Sequence, residues 1–241
     1  MTKIVTIVQA RTGSTRLPGK VLLPLAGEPM ILRMLERLRY SRLCGKTICA
    51  TSDLPGDDAV ERTCADAGYE VFRGDESDVL DRYYRAAGGS DAEVVVRCTG
   101  DCPLIDPQVV DSVLEKFLKG GHDYVSNIGV RTFPHGLDTE AMSFEALERA
   151  WSEAKLPQER EHVTLYIRNH PELFRLGNVE RDPPLSRYRW TVDHEEDYRL
   201  VSRIYEQLYR EDRLFTTSEI VALLERQPEL CLMNDHLAVF K

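Results

Sequence analysis

An apolar run over residues 4–8, Ile-Val-Thr-Ile-Val, opens the chain and reads as a buried strand of a parallel sheet. From Pro29 the period changes: Met30, Ile31, Met34, Leu35 and Leu38 fall at three- and four-residue spacing on one helical face. The two periods then alternate. Strands are expected over 47–52, 69–72 and 93–98. Between and after them, helices are expected over 57–68, 79–87 and 107–118, ended by Gly68, Gly88-Gly89 and Gly120-Gly121. Alternation of this kind predicts an α/β chain, with an open, mainly parallel sheet and helices on both faces.

The alternation breaks after Asn127. The segment 133–138 is irregular, 139–142 has strand character, helices are expected over 143–154 and 158–169, and 173–179 again has strand character. Residues 187–192 alternate polar and apolar and are expected to return to the sheet, followed by helices over 195–209 and 217–226. Residues of about 127–185 therefore read as an insertion in a single domain spanning 1–241.

Composition narrows the function. No stretch of eighteen apolar residues exists, which excludes a membrane-spanning helix. A net charge of -9 and a pI near 5.3 argue against general nucleic-acid binding, which needs a basic face. The chain enters its first strand with no signal-peptide pattern, and its six cysteines contain no C-x-x-C pair. A reduced, cytoplasmic protein is expected.

Against that acidity the first 27 residues stand out. They carry Lys3, Arg11, Arg16 and Lys20 and no acidic residue before Glu28. The last three cations sit in the Gly-containing loop 10–20 after the first strand, where an α/β protein brings backbone N–H groups to a phosphate. A triphosphate is the expected ligand. The loop is not a P-loop, since five residues separate Gly13 from Gly19 and Val21 follows the lysine; the dinucleotide G-x-G-x-x-G pattern is absent as well.

The stretch 9–20, Gln-Ala-Arg-Thr-Gly-Ser-Thr-Arg-Leu-Pro-Gly-Lys, resembles the A-R-x-G-S-x-R-x-P-G-K signature of sugar-activating nucleotidyltransferases. The match is to the cytidylyltransferases in particular: CMP-Kdo synthetase, CMP-sialic acid synthetase and the spore-coat polysaccharide branch. That resemblance implies a Rossmann-like nucleotidyltransferase fold with an insertion for acceptor binding and dimerisation. It implies transfer of CMP from CTP to a small acidic sugar or related surface-polysaccharide precursor, with Mg²⁺ as cofactor, in a homodimer. The nucleotide would be held by Ala10, Arg11, Gly13, Ser14, Arg16 and Lys20, with Arg73, Ser77 and Asp78 on the cytosine side. Asp101 of Gly100-Asp101-Cys102-Pro103 and Asp193 after Thr191-Val192 would hold the metal, and Arg11, Lys20 and Asp101 would be catalytic. In the insertion, His135, Asp138 and Glu140 of one motif and Arg160 and His162 of another would meet the acceptor; His135 stands where the spore-coat pattern has arginine.

Plainer readings stand beside these. Asp101 and Asp193 each suit a helix cap, Arg16 a solvated cation, Arg73 a surface pair with Asp75 or Glu76, and Arg160 a pair with Glu140 or Asp138. Two rival functions also remain at this point: a nucleotidyltransferase for another base or a phosphorylated acceptor, and a catalytically silent nucleotide-binding regulator.

Overall fold

The structure, a computed structural model, describes residues 2–238. The first strand, β1 (Ile4–Gln9), lies inside a seven-stranded sheet. On one side of it run β4 (Lys46–Ser52) and β5 (Glu70–Gly74), both parallel. On the other side lies β6 (Val94–Thr99), also parallel, and then β8 (Glu140–Ser143), which is antiparallel. β7 (Tyr124–Ser126) and β9 (Leu176–Asn178) complete that edge. A two-residue ribbon, β2 (Pro24–Leu25) with β3 (Glu28–Pro29), precedes the first helix. The expected open, mainly parallel α/β sheet is present.

Side chains alternate across the sheet and so feed two cores. Val8, Cys49, Val94, Val96 and Cys98 face one core. It is covered by α1 (Met30–Leu38), α2 (Asp58–Asp66), α4 (Pro107–Leu118), α8 (Glu195–Leu208) and α9 (Thr217–Arg226). Val5, Ile7, Ile48, Ala50 and Val95 face the other. Its cover is α3 (Val79–Gly88) together with α5 (Phe144–Glu153) and α7 (Leu165–Asn169), and α6 (Pro157–Glu161) packs against α3. Residues 127–185 thus supply two strands to the main sheet and three helices to its second layer. Their amphipathic faces are covered at home: Ala146, Leu147, Ala150, Val163 and Ile167 all belong to the second core.

Three elements differ from expectation. The helix over 158–169 is two short helices, because Val163 turns to φ 41° and buries its side chain. Residues 187–192 do not join the sheet. They form an extended strap with one isolated bridge, His135 to Arg189, and the amides of Trp190 and Thr191 both donate to the His135 carbonyl. Strand β7 was not foreseen. All three of its residues are buried, which leaves no alternation to read.

Candidate active site

The loop 10–20 is fixed from both ends. The Ala10 amide donates to the Ala50 carbonyl at the end of β4 (3.1 Å), and the amides of Ser14 and Gly19 both donate to the Thr12 carbonyl. Asp57 accepts from the Thr12 amide and hydroxyl, each at 2.7 Å, and from the Ser52 hydroxyl. Burial works against that carboxylate, but these donors hold its pKa below the usual range. Gly19 closes the loop at φ 69°, a left-handed turn that favours glycine, and delivers Lys20 into a 3₁₀ turn. Gly100 permits a second close approach: a Cβ there would lie 2.9 Å from the Gln9 carbonyl oxygen.

Lys20 is only 8% exposed, so it is a buried cation and not a solvated loop residue. Its ammonium donates to Asp101 Oδ2 (3.1 Å), Asp193 Oδ1 (2.9 Å) and the Val192 carbonyl (2.8 Å). Burial alone would pull its pKa down; the two carboxylates outweigh that and raise it. Burial likewise pushes Asp193 up, while Lys20, Arg16 and Arg189 together hold it below the usual carboxylate range. Arg16 reaches Asp193 at 2.9 Å from a more exposed position, and Arg11 lies between Glu76 (3.3 Å) and Glu161 (3.8 Å).

These groups line a cleft of about 320 Å³. Of the residues singled out in the sequence, Ala10, Arg11, Gly13, Ser14, Arg16, Lys20, Asp101, His162 and Asp193 line it. The others sit elsewhere. Arg73 ties β4 to α2, donating to the Ser52 and Leu54 carbonyls and pairing with Asp58 and Glu61. Ser77 bonds to Asp75, and Asp78 caps α3 through the Asp81 amide. Asp78 also takes the guanidinium of Arg160 at 2.7 Å, so these two residues fasten α6 onto α3. The partner of Arg160 is therefore neither Glu140 nor Asp138.

On the acceptor side Asp138 forms a two-pronged pair with Arg131 (2.6 and 2.9 Å). Glu140 is 2% exposed and accepts from Arg97, from the Tyr124 hydroxyl (2.5 Å) and from the Thr164 hydroxyl (2.6 Å). His135 is held by the strap and faces Arg189, whose Nη1 lies 3.3 Å from its Nδ1. Burial, with Arg131 and Arg189 nearby, lowers its pKa. Two charged cleft residues escaped the sequence reading, Glu161 and Arg82. Glu161 stands between Arg160 and His162 of the second acceptor motif. Arg82 is a charge within the apolar stripe of α3, between Val79 and Tyr83, which was its only signal.

The donor set around Lys20 fits a hard divalent cation. Asp101 and Asp193 already converge on one positive charge beside a phosphate-type loop. Mg²⁺ asks for one or two carboxylates, the remainder being phosphate oxygens and water. Among the described residues no cluster of three or more His, Cys, Asp or Glu forms a cage for a metal without substrate.

The cytidylyltransferase family model matches residues 5–236. The chain belongs to the cytidylyltransferase family. It is 36% identical to the spore coat polysaccharide biosynthesis protein SpsF of Bacillus subtilis, over 95% of this chain and 97% of that one. It is 39% identical over 116 residues to a 3-deoxy-manno-octulosonate cytidylyltransferase of Trichlorobacter lovleyi, 48% of this chain and 45% of the relative. The solved structure of a cytidylyltransferase from Leptospira borgpetersenii superposes with a TM-score of 0.91 at 33% identity, covering 96% of this chain and 97% of that one. Cytidylyltransferases are nucleotidyl-transferring enzymes, and the chain is an enzyme of that class. Among the described residues no helix is long and apolar enough to cross a membrane.

Proposed function

We propose that this cytidylyltransferase moves CMP from CTP onto a hydroxyl of a small acidic sugar or related surface-polysaccharide precursor. The observation that carries the reading is the meeting of Lys20, Asp101 and Asp193 at one point of a cleft bordered by a cationic loop. The acceptor oxygen attacks the α-phosphorus in line, the bond from that phosphorus to the bridging oxygen breaks, and pyrophosphate leaves. The acceptor's proton passes to solvent. Such a transfer asks the protein mainly for positioning and for charge opposite the phosphates.

In this reading Lys20 and Arg11 face the α-phosphate. Arg16 and the amides around Gly13 and Ser14 cradle the β- and γ-phosphates. Asp101 and Asp193 would hold Mg²⁺, which would offset charge on the phosphate oxygens. Support for an acidic acceptor comes from the 3-deoxy-manno-octulosonate named in one relative, and His162 with Glu161 is the part of the insertion that borders the cleft.

The same reading places the enzyme in the cytoplasm, as a homodimer meeting through 127–185. The exposed Val130, Leu156 and Leu176 are the apolar groups of that segment left for a contact. Calorimetry with each of the four nucleoside triphosphates and Mg²⁺ tests the nucleotide assignment. CTP is expected to bind with the highest affinity; tighter binding of another triphosphate removes it.

A further inference from the structure

Among the described residues, Ala26, Asp91 and Val163 are the non-glycine residues with positive φ, at 46°, 49° and 41°. Ala26 and Asp91 lie in exposed turns. Val163 is different. It is β-branched, so the left-handed region crowds its side chain, and it is fully buried. Such a conformation persists only where its surroundings over-determine it, and it gathers at sites that need a fixed geometry.

Two buried groups fix this turn. The Val163 side chain belongs to the second core, and the Thr164 hydroxyl donates to Glu140 Oε2 at 2.6 Å. Thr164 is fully buried, as is the Glu140 carboxylate. The turn closes on His162, whose carbonyl accepts from the amides of Thr164 and Leu165. Glu140 is itself held firmly. It faces Arg97 across the β6–β8 pair and accepts from that guanidinium and from the Tyr124 hydroxyl. Arg97 Nε in turn donates to Gln9 Oε1 at 3.3 Å, and Gln9 ends β1 and lines the cleft. A chain of polar contacts, Gln9–Arg97–Glu140–Thr164, thus joins the strand that carries the loop 10–20 to the insertion. A satisfied buried network of this kind is rigid.

The turn redirects the backbone. Glu161 and His162 are exposed and line the cleft, whereas the next two residues, Val163 and Thr164, are buried. On the other side of the pair, Arg160 is fastened to Asp78 and to the Trp151 carbonyl (2.6 Å). Glu161 and His162 therefore stand between two anchors. Glu140 and Thr164 are not among the residues that line the cleft, so they act on it only through the turn.

We propose that Glu140 and Thr164 are positioning residues for the acceptor: their buried bond holds the left-handed turn at Val163, and that turn sets where Glu161 and His162 stand in the cleft. This rests on the CMP-transfer reading above, in which those two residues border the acceptor.

Glu140→Gln would leave the Arg97 guanidinium without its counter-charge in the core and endanger the fold. The test is therefore Thr164→Val, which keeps the shape and removes the hydroxyl, beside Thr164→Ser, which keeps the hydroxyl. Three quantities are measured: amide hydrogen exchange over 162–165, CTP affinity by calorimetry with Mg²⁺, and KM for 3-deoxy-manno-octulosonate from pyrophosphate release. In Thr164→Val, exchange over 162–165 is expected to quicken about 10-fold and KM for the sugar to rise about 10-fold or more, with CTP affinity within about 2-fold of wild type. Thr164→Ser is expected to restore both. Unchanged exchange in Thr164→Val overturns the proposal, because the bond then does not hold the turn. Faster exchange with an unchanged KM overturns it too, since the bond would serve the fold alone. An equal loss of CTP affinity shows a change spread over the whole cleft and likewise overturns it. If wild type itself releases no pyrophosphate with CTP and this sugar, the acceptor reading falls for that sugar, and the exchange measurement still decides whether the bond holds the turn.

Discussion

The Val192 amide donates to the Asp101 carbonyl at 2.8 Å, and the Thr191 hydroxyl adds a second bond to the same oxygen at 3.3 Å. This clasp brings Asp193 to the turn after β6, although the two aspartates belong to distant parts of the chain. It explains why an extended strap that is not a strand still delivers a carboxylate to the sheet's C-terminal edge.

Asp101→Asn and Asp193→Asn should each raise the Mg²⁺ concentration for half-maximal activity about 10-fold or more, since each removes a hard anionic ligand. Magnesium titrations of the two variants check this. A titration that superimposes on wild type takes that aspartate out of the metal site.

Lys20→Ala should lower kcat about 100- to 1000-fold, corresponding to about 3–4 kcal/mol of lost transition-state stabilisation. All three N–H donors of the ammonium go to protein acceptors, which hold its positive charge at the point where the two aspartates meet. Steady-state rates and a urea melt are to be measured together. Turnover within a few-fold of wild type contradicts the loop's role.

His135 yields a prediction about pH. In the unfolded chain it takes its proton as pH falls through 6.5; in the fold, burial keeps it neutral to a lower pH. The unfolded state then binds more protons in that window, so acidification below 6.5 destabilises the native state. The stability advantage of wild type over His135→Gln should therefore shrink between pH 7 and pH 5 in urea melts. Parallel pH curves for the two proteins contradict the assignment.

A dimer through 127–185 predicts a light-scattering mass near twice the 27.5 kDa of one chain at micromolar concentration. Trp151, on α5 of that segment, is occupied within the chain. It stacks on Tyr84 at 4.2 Å and donates to Asp81 at 2.9 Å within its own chain. Leu156→Glu, at an exposed apolar position, is the variant expected to shift the mass towards one chain, and a wild-type mass near 27.5 kDa rules the dimer out.

Much of the fold was legible because its strands and helices carry clean periods: β1, β6 and α4 fall within a residue of where 2- and 3.6-residue patterns put them. The strap at 187–192 misled because Tyr188, Trp190 and Val192 alternate like a strand while their backbone partners are His135 and Asp101. Among the site residues, those whose chemistry is local to the loop were readable. Arg160 and Asp78 were not, because their pairing joins two helices that no spacing relates. Arg82 was hidden by its surroundings, a single charge in an otherwise apolar helix face.

The central claim is CMP transfer at the Lys20–Asp101–Asp193 point. Its most direct test is pyrophosphate release by the purified protein with Mg²⁺, each of four nucleoside triphosphates and a panel of acidic sugars, with the product identified by mass. The account predicts release with CTP and an acidic sugar, a product heavier than that sugar by one cytidylyl group, and loss of the signal in Lys20→Ala. Release driven by another triphosphate, or transfer from CTP that persists undiminished in Lys20→Ala, would contradict it.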